Sequence, residues 1–294
     1  MTTFTAADVP PLAGRTVVIT GANSGIGRVA ASVFAARGAR TVLAVRDVRR
    51  GRAAAADMTG QVEVARLDLA DLASVRAFAD GLDGPVDLLV NNAGVMIPPL
   101  TRTADGFELQ LGTNHLGHFA LTNLLLPRVT GRVVTVSSSG HRVGAIDFDD
   151  LNWTRRPYRP MAAYAQSKLA NLLFTAELHR RLAAAGSSVL AMAVHPGMAA
   201  TNLLRANDRP GVRTRVRDAF TNVFAQSEEG GALPTLYAAV ADLPGGSYAG
   251  PGGLLQGRGA PKPVGRSAAA QDAAVAARLW EVSEELTGTA WPLG

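Results

Sequence analysis

The stretch that most restricts the fold lies near the N-terminus, where the β-branched run Thr16-Val17-Val18-Ile19-Thr20 ends in Gly21-Ala22-Asn23-Ser24-Gly25-Ile26-Gly27. An alanine-rich helical pattern continues from there to about Arg37. Strand, glycine turn and helix, in that order, is what a phosphate-binding loop requires. Gly21 allows a tight turn, Gly25 lets the backbone approach a pyrophosphate, and Gly27 lets the helix pack close to the sheet with its N-terminal amides toward the anion. Asn23, Ser24 and Ile26 share the loop and are candidates for the same contact. The spacing is G-x-x-x-G-x-G, and a glycine turn that holds no ligand reads the same way from this stretch alone.

Strand-like and helical runs then alternate, the pattern of a parallel α/β sheet. Residues 41–45 form a second strand closing at Arg46-Asp47, with Arg49, Arg50 and Arg52 beyond. An acidic residue about twenty positions past the glycines holds a ribose 2′-hydroxyl, whereas an arginine there accepts a 2′-phosphate. Arg46 points to NADP; Asp47 keeps NAD open. A third strand over residues 61–67 ends at Asp68-Leu69, where the carboxyl edge of the sheet meets an adenine. Residues 71–80 read as a helix, and residues 86–90 as a central strand buried on both faces. That strand runs into Asn91-Asn92-Ala93-Gly94, small enough for backbone and cofactor to touch.

A helical stretch over residues 103–127 carries Asn114, a weak helix former able to bond to the backbone and bend the helix. Residues 132–136 form a fifth strand ending in Ser137-Ser138-Ser139-Gly140. The run 141–161 is irregular and reads as a loop beside the site. A sixth strand over 189–194 closes at His195-Pro196-Gly197, and residues 199–226, with five arginines and no clean period, read as a mobile cover over the substrate. A helix over 233–240, a short strand over 253–256 and a terminal helix over 271–286 finish the chain. No internal repeat or linker divides it, so residues 1–294 read as one domain.

The chemistry concentrates at Tyr164-Ala165-Gln166-Ser167-Lys168, inside the helical run 161–182. Four residues on a 3.6-residue turn place the phenol and the ammonium on one face. A neighbouring cation favours the phenolate, which suits a group that passes a proton near neutral pH. Lysine is rare here: of 29 Lys+Arg only Lys168 and Lys262 are lysine. A lysine kept in such a background indicates that its own geometry matters, although a solvated helical lysine has the same spacing.

Composition excludes several classes. The absence of cysteine removes disulfides, a thiolate nucleophile and Cys-ligated metal. No apolar run reaches the ~18 residues of a membrane span, and the first ten residues lack a signal-peptide pattern, so the expectation is a cytoplasmic protein with no membrane partner. The net charge of +5 comes from scattered arginines with few aromatics among them, which does not suggest a nucleic-acid partner.

Taken in order, these residues resemble the short-chain dehydrogenase/reductase family along nearly the whole chain. Thr20-Gly21 with Gly25 and Gly27, Asn91-Asn92-Ala93-Gly94, Asn114, the serine after the fifth strand, Tyr164 with Lys168, and Pro196-Gly197 carry the resemblance. Ala44-Val45-Arg46-Asp47, Asn114 to Phe119, Ser167 to Asn171 and Leu279 to Ser283 are most similar to the retinol-dehydrogenase-like branch, which includes bacterial members of unassigned substrate. The resemblance implies a Rossmann-type, doubly wound, seven-stranded parallel sheet in the order 3-2-1-4-5-6-7, with helices on both faces and NAD(P) across its carboxyl edge. It implies hydride transfer between NADP(H), or NAD(H), and a small-molecule alcohol or carbonyl compound, with no metal.

Tyr164 would exchange the proton at the substrate oxygen. Lys168 would lower the phenol pKa and bond the nicotinamide ribose, and Ser138 would hold the carbonyl, with Ser139 as the alternative. Asn114 would hold a water of the proton relay. Pro196 and Gly197 would line the nicotinamide, with Thr201 near its amide. Ser137, of opposite parity to Ser138, is expected to point into the fold. His115, His118, His141 and His195 are expected to be structural. Dimers or tetramers are common in the family. The rival classes are a nucleotide-binding regulator without turnover, which would lack the Tyr-Lys pair, and a nucleotide-sugar epimerase, whose G-x-x-G-x-x-G spacing the glycines here do not follow.

Overall fold

The computed structural model describes residues 3–197 and 227–293. The expected cover over 199–226, and Thr201 within it, lie outside the described residues. The first half of the sheet is built from β1 (Thr16–Thr20), α1 (Gly25–Ala36), β2 (Arg40–Val45), α2 (Val48–Ala56), β3 (Val62–Arg66) and α3 (Leu72–Gly81). The chain then crosses to β4 (Val86–Asn91), α4 (Leu109–Leu111), a π turn (Gly112–Leu116), α5 (Gly117–Leu125), β5 (Val129–Val136), α6 (Pro160–Ala184) and β6 (Leu190–Val194). After residue 227 come α7 (Glu228–Val240), β7 (Tyr248–Pro251), β8 (Pro261–Pro263) and α8 (Ala273–Thr287).

The sheet order is β3-β2-β1-β4-β5-β6-β7-β8. β1 pairs in parallel with both β2 and β4, so the chain reverses its direction of winding between β1 and β4. At that reversal the helices diverge to opposite faces and leave a crevice at the carboxyl ends of the strands. Seven parallel strands run in the expected order, the seventh at Tyr248–Pro251 and not where the sequence suggested. An eighth, β8, adds antiparallel to β7. Pro261 and Pro263 carry no N–H to offer a further strand, and exposed Lys262 stands between them, which blunts the edge.

Side chains two apart on a strand share a face, and this alternation divides the core in two. Val17, Ile19, Val90, Val134 and Met192 pack with Ala30, Ala31 and Phe34 of α1 and with Ala232 and Leu236 of α7. Val18, Leu89, Val133, Ala191 and Ala193 face the other layer, with Val75 and Phe78 of α3, Phe119 of α5, Leu172 of α6 and Trp280 of α8. On that side Phe119 meets the Trp280 ring edge-on at 4.9 Å and Phe174 at 5.8 Å.

Two sequence expectations differ from the structure. Residues 253–256 were expected as a strand, but Leu254–Gln256 is a 3-10 turn in which Leu255 (φ 51) and Gln256 (φ 56) are left-handed, a conformation that cannot join a ladder; the strand is Tyr248–Pro251. The helix expected from residue 103 starts at Leu109. Thr103 and Phe107 instead close a tight turn around Gly106 (φ 87), and Glu108 caps the helix by accepting from the amides of Gln110 and Leu111.

Because Phe119 is fully buried and touches aromatic rings from α6 and α8, Phe119→Ala should destabilise the protein by about 3–5 kcal/mol. Urea unfolding of the variant beside wild type measures this, and a loss below about 1 kcal/mol would show that this layer does not pack as described.

Candidate active site

α6 enters the site from a loop, with Pro160 in its first turn, and is buried along most of its length. Its polar side chains are therefore forced to find partners at strand ends. The Lys168 ammonium, 4% exposed, donates to the Val136 carbonyl at 3.0 Å, where β5 ends. Ser137, the next residue, turns inward as expected and donates to the Lys168 carbonyl at 2.7 Å. Ser138 points the other way: its hydroxyl accepts from the Gly140 amide at 3.1 Å and faces the side of the Tyr164 phenol, whose upward pKa shift it opposes. Gly140 lies between the two side chains: a Cβ there would be in ordinary contact with both, 3.4 Å from the Tyr164 ring and 3.5 Å from Ser138 Oγ.

Burial moves the two titrating groups in opposite directions. It raises the Tyr164 phenol, with the Ser138 hydroxyl opposing, and it lowers Lys168 from 10.5 to about 8. The sequence led us to expect Lys168 to draw the phenol down. In the structure its Nζ lies 5.9 Å from the Tyr164 ring centroid and is aimed at Val136, so desolvation prevails.

Asn114 sits in the π turn, where one extra residue per turn rotates its side chain toward the end of β4. Its Oδ1 accepts from the Val95 amide at 2.8 Å, and its Nδ2 donates to the Val95 carbonyl at 3.0 Å and to Ser167 Oγ at 2.9 Å. Ser167 in turn donates to the Tyr164 carbonyl at 2.8 Å. The Asn114 side-chain amide thus holds the Val95 turn against α6.

The glycine loop fits a dinucleotide phosphate. Gly21 (φ 67) and Gly25 (φ 59) adopt the left-handed turn that the strand-to-helix reversal needs. A Cβ on Gly27 would collide with the Asn92 side-chain amide, and one on Gly21 would lie 2.9 Å from Ala93 Cβ, so loop and Asn92-Ala93 turn are in direct contact. Ser24, at the N-cap of α1, makes no side-chain cap, whereas Asp47, Asp71 and Asp272 cap α2, α3 and α8. The first amides of α1 therefore lack the internal acceptor that those helices have, which suits an anion. Asn23 and Ile26 are half-buried beside them.

With this geometry in place, sequence comparison is decisive: the short chain dehydrogenase family model matches residues 15–210. The chain belongs to that family. It is an NAD(P)-dependent oxidoreductase acting on CH–OH groups. The chain is 45% identical to human Retinol dehydrogenase 13 over 95% of its own length and 86% of that protein. It is 43% identical to human Retinol dehydrogenase 12 over 95% and 88%, respectively. The crystal structure of an uncharacterised Mycobacterium paratuberculosis protein superposes with a TM-score of 0.87 at 57% identity, covering 99% of this chain and all of that one.

Other expected residues of this dehydrogenase fall at the carboxyl edge with adjusted parts. Asn91 is fully buried and donates to Thr122 Oγ1 at 2.9 Å, so its side chain belongs to the sheet interior and only its backbone reaches the turn. Leu69 packs in the α3 and α5 core, leaving its carbonyl at the edge against Gly117. Asp68 closes a local turn, accepting from the Ala70 amide at 3.0 Å. Gly94 lies beside Asn114 and Lys168: a Cβ there would crowd Asn114 Oδ1 at 3.2 Å and lie 3.5 Å from Lys168 Nζ. Pro196 and Gly197 (φ 70) are half-buried after β6. Arg46 is exposed just past β2, while Asp47 accepts from the Arg50 amide at 3.0 Å. Sequence reasoning did not single out Thr20 as a site residue. Its hydroxyl, fully buried, accepts from the amides of both Asn92 and Ala93 at 2.9 Å.

The Lys168 shift yields a stability test. Between about pH 8 and 10.5 the unfolded chain holds the lysine proton and the folded chain has released it, so folding stability rises with pH across that window. Urea midpoints at three pH values should climb more steeply in wild type than in Lys168→Met; equal slopes would show that Lys168 titrates as an exposed lysine.

Proposed function

We propose that the protein transfers a hydride between NADP(H) and a small-molecule alcohol or carbonyl compound, with Tyr164 exchanging the proton at the substrate oxygen. The observation that carries this reading is the meeting of the Tyr164 phenol, the Ser138 hydroxyl and the buried Lys168 ammonium at the carboxyl end of β5. Bound NADP(H) supplies or accepts the hydride. Ser138, whose oxygen already accepts from Gly140, has its proton available for the substrate oxygen. In reduction Tyr164 gives its proton to that oxygen and becomes a phenolate. Lys168, charged at neutral pH and using one of its three donors on Val136, offsets that charge. Asn114 acts by position, joining the Val95 turn to the Tyr164 backbone through Ser167.

NADP is favoured over NAD because Asp47 is engaged as the α2 cap and Arg46 is the first exposed side chain beyond β2. The loop from Gly21 to Gly27, with Ala93 and Gly94, would hold the dinucleotide, and Pro196, Gly197 and Thr201 would flank its nicotinamide. A single domain over residues 1–294 completes the proposal. The relatives named for retinol set the branch; the substrate class proposed here stays at alcohols and carbonyls.

Tyr164→Phe should retain the fold and NADPH binding while turnover falls by at least ~10²-fold. Steady-state assays with a carbonyl panel, NADPH fluorescence titration and thermal melting test this together. Near-normal turnover would remove Tyr164 from the mechanism, and a fold-intact wild type that binds NADPH without turning over any carbonyl would favour a nucleotide-sensing regulator.

Arg46→Asp should lower the preference for NADP, since loss of a charge-assisted hydrogen bond alone is worth roughly 10-fold to 100-fold in affinity. Arg49 and Arg50 begin α2 and reach the same anion, so the double change with Arg50 is the firmer test. Kinetics with both cofactors decide it: an unchanged NADP to NAD ratio would make Arg46 part of a solvated helix start.

A further inference from the structure

Behind the Asn92-Ala93 turn lies a histidine that the reaction does not use. His118 is on α5, 1% exposed, with both ring nitrogens bonded: Nδ1 is 3.0 Å from the Asn114 carbonyl and Nε2 is 2.9 Å from Thr20 Oγ1. A carbonyl only accepts, so Nδ1 carries the proton. Burial holds the ring neutral at physiological pH, its pKa lowered to about 4, and Nε2 is therefore an acceptor. The Thr20 hydroxyl has one proton and two lone pairs. With Nε2 taking the proton at 2.9 Å, both lone pairs face the Asn92 and Ala93 amides, each at 2.9 Å. The other taker of that proton, the Val90 carbonyl, is at 3.4 Å.

We propose that His118 is a positioning residue for the dinucleotide: by fixing the direction of the Thr20 hydroxyl it clamps the Asn92-Ala93 turn against the glycine loop. The clamp bears on cofactor because Ala93 and Gly21 are in contact, and the Asn92 amide that packs over Gly27 donates to the Thr20 carbonyl at 2.7 Å. Any rotation of the turn away from β1 opens the loop where α1 begins. The same ring, through the Asn114 carbonyl, ties the π turn to this clamp, so the phosphate end and the proton-transfer end of the site share one rigid link.

This inference rests on dinucleotide binding at the glycine loop and is tested by binding, not turnover. His118→Gln places an amide oxygen where Nε2 stood and keeps the acceptor for Thr20. His118→Asn keeps only a donor toward the Asn114 carbonyl, and His118→Phe keeps neither. NADPH fluorescence titration of the full chain should give a Kd raised about tenfold for Asn and Phe and within about threefold of wild type for Gln, the size expected for one buried hydrogen bond. Hydrogen exchange at residues 91–95 should quicken in Asn and Phe and not in Gln.

Equal effects of Gln and Asn, or a Kd unchanged in all three, would overturn the proposal. If Phe does not fold by thermal melting, the Gln and Asn pair still decides. Turnover in Tyr164→Phe, measured separately, tells failure of the hydride-transfer reading from failure of the clamp. A wild type that binds neither NADPH nor NADH overturns both.

Discussion

The carboxyl edge of this sheet is organised around a buried ammonium. Removing a lysine from water is costly unless its charge finds a partner or its proton leaves. Lys168 meets the cost only in part through the Val136 carbonyl, and what is left uncompensated shows as a pKa lowered to about 8. That hydrogen bond, with one from Asn171 Nδ2 to the same carbonyl at 3.1 Å, holds α6 to the end of β5, and Ser137 adds a third link by donating to the Lys168 carbonyl. Ser138 then has to point into the cleft, because adjacent residues leave a strand on opposite sides. The serine and the phenol face one site because these three bonds hold their two elements in register.

A second set of contacts joins that centre to the start of the sheet. Gly21 and Gly27 bring the first loop against Ala93 and Asn92, Thr20 binds both amides of the same turn, and Asn114 brackets Val95 one step further on. All lie at the reversal between β1 and β4, where two strands end side by side with no helix above them. The topology makes the crevice, and small side chains with buried hydroxyls allow backbone to approach backbone inside it.

Local signals in the sequence located most of this. Thr16–Thr20, Val86–Asn91 and Val129–Val136 are apolar runs whose ends coincide with glycine or serine clusters, and the Tyr164 and Lys168 spacing needs only helical geometry to be read. What was not legible depends on long-range contact. Whether Asn91 turns toward the cleft or the interior is decided by Thr122, thirty-one residues away, and the direction of Leu69 by the core between α3 and α5. Thr20 and His118 look like an ordinary strand threonine and a helical histidine until the fold places them 2.9 Å apart. The strand near the C-terminus was misplaced because Gly252, Gly253 and two left-handed residues make the turn, while the pairing partner of Tyr248–Pro251 is supplied by β6.

The preference for lysine at position 168 follows from the same burial. A guanidinium brings five N–H donors that need acceptors and a proton it cannot release. At 4% exposure, with Gly94 close beside Nζ, the compact ammonium fits where the planar fork would not. Desolvation displaces Tyr164 upward and Lys168 downward, so it disfavours the charged form of each taken alone. A phenolate formed beside an ammonium is a different case, because the opposite charges offset part of each other's lost hydration. Burial that makes each group reluctant to ionise singly therefore makes the pair more strongly coupled than it would be in water. On the proposed reading, the Tyr164 proton would become easier to give up while Lys168 keeps its own, a role that the compact ammonium suits better than a guanidinium.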